Sequence, residues 1–327
     1  MPEPDYRHLR RLTDAGGLYE HALIRSARPE HGYCVDDVAR GLVVLCRDDA
    51  APSDLREQYL SFVLDAQAPG GFHNRRDIRL VWRDDPSVED CWGRALWALG
   101  AASRRPELAD RALPAFEAGA ALRSPWSRAN QFAALGAADV LSGRPDHSQA
   151  RALLDEVARA CVAPTDGWDW PEPRLTYANA VVPEVLLAAG ALLARPDLQE
   201  RGLELLGWLL DEQTNGVHLS VVPVGGRGPG EARGGFDQQP IEVAALADAL
   251  VRAYALTGDE RWRDGIAAAV AWFAGANDTG VPLVDLDSGG GCDGLEVGGR
   301  NENQGAESTL ALLSTLQHGR GLVPSHA

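Results

Sequence analysis

Residues 237–257 read DQQPIEVAALADALVRAYALT. Three hydrogen-bonding side chains, Asp237, Gln238 and Gln239, stand directly before a proline. Behind it, apolar residues recur at three- and four-residue spacing as far as Leu256, the period of a helix and not of a strand. Polar residues followed by proline mark a helix N-terminus. One cap uses one side chain, so this run, with Glu242 close behind it, holds more polar groups than capping needs.

The same construction recurs. Val35-Asp36-Asp37, Val88-Glu89-Asp90, Ser127-Arg128-Ala129-Asn130, Thr176-Tyr177-Ala178-Asn179 and Asn301-Glu302-Asn303-Gln304 each open an apolar helix. The six clusters are spaced by roughly 50 residues, about one helical hairpin plus a long loop. In three of them a glutamate follows five residues on: Asn179 to Glu184, Asp237 to Glu242, Glu302 to Glu307. Connections alternate between short turns (ARPD, LTGDE) and long Gly- and aromatic-rich loops such as GGFHNRRDIRLVWRDDPS and GVHLSVVPVGGRGPGEARGG. That alternation predicts helices running up and down, with every elaborate loop on one face. Six hairpins predict an all-α (α/α)6 toroid, a single domain over 1–327 with residues 1–30 as a helical lead-in.

Composition narrows the chemistry. The 327 residues hold 31 basic side chains, all arginine, against 47 acidic ones, a formal charge of −16. Nucleic acid and anionic membrane surfaces need a basic face, so neither is expected as a partner. The absence of lysine removes Schiff-base, pyridoxal phosphate and Walker A chemistry. Five cysteines, an odd number without a CxxC pair, predict reduced thiols and neither a disulfide framework nor a zinc site. MPEPDYRHLR has no apolar signal core, and the longest apolar run, Val185 to Ala194, is shorter than a membrane span. The expectation is a cytoplasmic protein. The eight histidines show no HxxxH or HExxH spacing, GGRGPGEARGG lacks dinucleotide-binding spacing, and there is no GxSxG elbow. No metal and no cofactor are expected.

In such a ring the inner helices aim their N-termini, with partial positive charge and free N–H groups, at one face. Crowded carboxylates there suit a general acid beside a general base. Asp37, Asp90, Asp237 and Glu302 are the catalytic expectations, one from the first two acting with one from the last two on the opposite wall. Salt bridging offers a plainer role: Asp36 has Arg40, and Asp90 has Arg94, four residues on. Asp36, Glu89, Arg128, Asn130, Tyr177, Asn179, Gln238, Gln239, Glu242, Asn301, Asn303 and Gln304 supply the hydrogen-bonding groups that match sugar hydroxyls. Trp168 and Trp170, flanked by Gly, Asp and Pro, are expected to stack on sugar C–H faces.

The segments YCVDDVAR, VEDCWGRALWALG, WPEPRLTYANAVVPEVLLAAG, FDQQPIEVAALADA and CDGLEVGGRNENQGAESTLALL, from Tyr33 to Leu313, resemble bacterial six-hairpin (α/α)6-barrel glycosidase-like proteins. Members of that group are often labelled glycosidase or glycosyltransferase. The wider superfamily holds glycoside hydrolases, unsaturated uronyl hydrolases and sugar epimerases. The resemblance implies a carbohydrate site in the ring's mouth, worked by carboxylates. The epimerases use paired histidines on inner helices, and no inner-helix start here carries one. A glycoside hydrolase cleaving an oligosaccharide with two carboxylates is the expected function. The alternatives are a phosphorylase, with Arg128, Arg174 or Arg300 holding phosphate, and a non-catalytic glycan-binding partner of a glycosyltransferase. A terpene-cyclase-like reading of the Asp-Asp pair lacks the aromatic residues to line its cavity.

Overall fold

The computed structural model describes residues 3–163 and 168–320. After a short helix α1 (Arg7–Arg11), helices follow in pairs: α2 (Val35–Arg47) with α3 (Ser53–Ala66), and α4 (Asp90–Ala102) with α5 (Pro106–Gly119). Next come α6 (Ser127–Gly143) with α7 (Ser148–Ala160), α8 (Val181–Leu192) with α9 (Pro196–Glu212), and α10 (Pro240–Thr257) with α11 (Glu260–Phe273). Helix α12 (Ala306–Arg320) ends the described chain. The even-numbered helices pack in order, α2 on α4, α4 on α6, and so on to α12, which returns to α2. That closure is the (α/α)6 toroid that the hairpin repeat predicts.

Residue pattern decides which helix is inner. In α8, ten of twelve residues are buried, as a helix apolar on all sides must be. In α7 the buried residues are Ala150, Leu153, Leu154, Val157 and Ala158, one stripe of an amphipathic outer helix. Helices α4 and α6 come closest: a Cβ added at Gly136 would stand 2.2 Å from the Leu96 carbonyl oxygen, so only glycine allows that crossing.

Two details differ from the sequence reading. The lead-in is helical only over Arg7–Arg11; two short β-hairpins, Thr13–Leu18 and Ala22–Ala27, follow. Helix α1 stands where the sixth outer helix would be, packing on α12 and tying to α3 through Arg10 and Asp54. Second, among the described residues five further two-stranded pairs, of two or three residues per strand, stitch the long loops. Segments that short carry no readable period. All five cysteines are buried free thiols. No helix among the described residues is long and apolar enough to cross a membrane.

Candidate active site

The inner helices bring their N-termini to one end of the ring, where a cavity of about 590 Å³ opens. Its walls come from the first turns of α2, α4, α10 and α12, from Tyr177 just ahead of α8, and from the loops above them. Apolar side chains, among them Val43, Trp97, Phe132, Val181 and Leu310, close the ring's centre below.

Asp37 lies deep in the wall and is 3% exposed. A helix N-terminus favours an ionised carboxylate, yet desolvation dominates here and pushes the Asp37 carboxyl up to about 7. Arg40, one turn on, opposes this from 3.2 Å. Its other terminal nitrogen, Nη1, is committed to Glu307 Oε2 at 2.7 Å. The charges of Glu307, Glu20 and Asp36 then add to the rise. For Glu307 itself burial also works against ionisation, but Arg40 and Arg94 outweigh it and hold the carboxyl below its usual range. One guanidinium thus joins two carboxyls of opposite tendency.

On the next wall, Tyr177 donates its hydroxyl to Asp90 Oδ2 at 2.6 Å. Burial, with Asp90 beside it, pushes the phenol up, so it remains a donor. Arg94 is buried over the Phe132 ring, 4.0 Å from its centroid, and lies between Asp36 (3.5 Å) and Asp90 (3.9 Å). Asp36 also accepts from Asn74 Nδ2 at 3.0 Å. Cys34 donates to Asn74 Oδ1, and burial raises its thiol well above the usual range, so it is no thiolate nucleophile.

The loops ahead of α10 and α12 add Asp237, Gln239, Asp293, Glu296 and Asn301 to the lining. Asp237 is exposed, and its carboxylate has no ion pair or side-chain hydrogen bond among the described residues. Gln238 turns the other way. It is fully buried and donates to Asp278 Oδ2 at 2.6 Å and to the Gly235 carbonyl at 3.1 Å. Asp278 also accepts from Ser220, and His218 Nε2 lies 2.7 Å from its other oxygen. Gln238 therefore positions the loop that presents Asp237 and Gln239.

Of the four catalytic expectations, Asp37, Asp90 and Asp237 meet at this cavity. Glu302 does not: it pairs with Arg300 at 3.0 Å in a separate surface hollow with Arg25, Asp285 and Asp287. The helix begins at Ala306, so the NENQ run is strand and loop, and the helix's inward acid is Glu307. Of the binding expectations, Asp36, Tyr177, Gln239 and Asn301 line the cavity. Glu89 and Arg128 line a shallower hollow that adjoins it through Asp36, Asp90 and Tyr177.

The others are held away by structural duties. Gln304 is buried, accepting from Ser288 at 2.7 Å and donating to Asp285 at 2.7 Å. Asn303 accepts from the Ile24 N–H, and Asn130 bonds the Ser124 backbone from both ends of its amide. Asn179 is fully buried, bridging the Thr176 N–H and Glu242. Glu242 is itself buried behind the wall, and burial pushes its carboxyl up to about 7. Trp168 and Trp170 pack on Trp208, edge-on at 5.2 Å and stacked at 5.6 Å, as an aromatic cluster and not a sugar platform.

Glu20, His21, Arg40, Arg75, Arg94, Asp293, Glu296 and Glu307 line the cavity without having been selected as site residues. Glu307 had a signal in the glutamate that recurs five residues on in three of the six polar clusters. Arg40 and Arg94 had one in their i,i+4 spacing, although Arg40 reaches Glu307 and Asp37 and touches Asp36 only at its backbone carbonyl.

A ring of six inner helices whose N-termini enclose an acid-lined mouth is an (α/α)6 toroid, the fold of the glycosidase-like group that the sequence resembles. Neither a sequence-family model nor a curated protein matches the chain. Solved structures do. A sugar epimerase from a ruminal bacterium superposes with a TM-score of 0.74 at 13% identity, over 96% of this chain and 95% of that one. Cellobiose 2-epimerase from Bacillus thermoamylovorans gives 0.72 at 11%, over 96% and 95%. A cellulase of C. cellulolyticum in complex with cellobiose gives 0.63 at 8%, over 93% and 87%. At these identities the likeness is one of fold.

Proposed function

We propose that the protein is a glycoside hydrolase that cleaves an oligosaccharide in this cavity. The observation that carries the reading is Asp37, a carboxyl raised to about 7 by burial and opening on a cavity that is also lined by Asp237, which has no ion pair among the described residues. Glycosidases work with such a division, one carboxyl protonated and one ionised. Asp37 gives its proton to the glycosidic oxygen as the bond to the anomeric carbon breaks. Asp237 receives a proton from the water that attacks that carbon. Tyr177 fixes Asp90, and Asp36, Gln239 and Asn301 offer further partners to sugar hydroxyls. Three solved structures that share the fold belong to carbohydrate enzymes, which supports the substrate class.

A second reading, sugar epimerisation, is favoured by the higher TM-scores of the epimerases. Against it, a single imidazole, the half-exposed His21, lines the cavity among the described residues. Incubation with manno-, gluco-, galacto- and uronyl-oligosaccharides, with products read by mass spectrometry and NMR, tests both. Shorter oligosaccharides support hydrolysis; products of unchanged mass with an inverted stereocentre overturn it. The anomer first released then separates a water-activating Asp237 from a nucleophilic one.

A further inference from the structure

We infer, resting on the carbohydrate reading above, that the cavity takes an uncharged glycan and turns away anionic ones: uronates, sugar sulfates, sugar phosphates and inorganic phosphate. Eight carboxyl groups line it against three guanidiniums. None of the three is free. Arg40 serves Glu307 and Asp37, Arg94 lies between Asp36 and Asp90, and Arg75 pairs with Glu20. Asp237, Asp293 and Glu296 have no ion pair among the described residues, so the cavity keeps an excess of negative charge.

A concave, partly desolvated wall of one sign focuses its field into the cleft, where an entering anion meets repulsion that bulk water would screen. The same wall is rich in acceptors. The exposed carboxylates of Asp237 and Glu296 line the cavity with no side-chain hydrogen-bond partner among the described residues, places for donors. Sugar hydroxyls donate; carboxylate, sulfate and fully ionised phosphate oxygens do not. The cations that phosphorolysis would call on are engaged elsewhere: Arg128 with Glu172, Arg174 with Glu231, Arg300 with Glu302. Water is therefore the co-substrate this cavity admits.

The test is binding, read by saturation-transfer NMR and calorimetry independently of turnover. Matched pairs differ only at C6: manno-oligosaccharides against mannuronates, cello-oligosaccharides against their oxidised cellouronates, galacto-oligosaccharides against galacturonates. The uncharged member of at least one pair is expected to bind about tenfold or more tightly than its uronate. High salt and Glu296→Lys, a change at the exposed end of the short strand Gly294–Glu296, should both narrow that gap. Inorganic phosphate should leave any turnover unchanged. A uronate that binds as well as its neutral partner, phosphate-driven turnover, or failure of every uncharged glycan to bind overturns the inference. Tight neutral binding without turnover upholds it and overturns hydrolysis instead.

Discussion

Arg40 on the first inner helix places Nη1 2.7 Å from Oε2 of Glu307 on the last, 267 residues further along the chain. The contact joins the two helices whose meeting closes the ring. It also sets how much of the Arg40 charge remains for Asp37. Glu307→Gln removes a negative neighbour and frees Arg40 to pair with Asp37, so the Asp37 carboxyl titrates below its present value of about 7. Activity that needs protonated Asp37 falls as pH rises through that value. The basic limb of the kcat/KM profile should therefore move to lower pH in the variant. A limb that stays in place would show that Glu307 does not tune Asp37.

Asp37→Asn keeps the shape and removes the transferable proton. Turnover should fall by about 10²–10⁴, the usual contribution of a positioned acid. Asp237→Asn should cost a similar factor and leave the circular dichroism spectrum of the native protein. Near-native rates in either variant would remove that residue from the mechanism.

Stability should depend on pH through carboxyls the reaction does not use. Glu242 is held up at about 7 by burial, so the folded state binds its proton more tightly than the unfolded chain. Its favourable contribution is complete below the unfolded value near 4.5 and is lost as pH rises through 7. Glu242→Gln keeps an acceptor for Asn179 and removes the titration. Denaturant melts should show little difference from wild type near about pH 4.5 and a variant more stable by up to roughly 3 kcal/mol at about pH 8. Equal stability at both pH values would mean that Glu242 ionises without penalty.

Two neighbours should part company. Gln304→Ala breaks buried hydrogen bonds to Ser288 and Asp285 and should cost about 1–3 kcal/mol, read by urea unfolding. Glu302→Gln, on the surface with Arg300, should stay within ~0.5 kcal/mol and keep its turnover. Loss of activity in Glu302→Gln with folding intact would return Glu302 to the site.

The hairpin count, the inner helices and the convergence of their N-termini were legible because each rests on a local pattern. Apolar period, turn residues and polar clusters report on their own segment and nothing beyond it. The same logic identified Asp37, Asp90, Asp237 and Tyr177, each at or beside an inner-helix start. It failed where a polar residue had a choice of partner. Gln238 and Gln304 look like Gln239 and Asn301 in the sequence, yet they turn inward to Asp278 and Asp285. It failed again at Trp168 and Trp170, whose loop composition suggests a binding surface but whose rings find Trp208 on α9.

By itself, then, the sequence determined the toroid, its polarity and the acidic character of its mouth, since composition and period are properties of the chain alone. Only the tertiary structure decided which acids face the cavity, that Glu307 and not Glu302 is the last helix's contribution, and that Asp37 is the carboxyl kept near neutrality. Those outcomes depend on burial and on charges brought together from opposite ends of the chain, and desolvation acts only once the ring has closed.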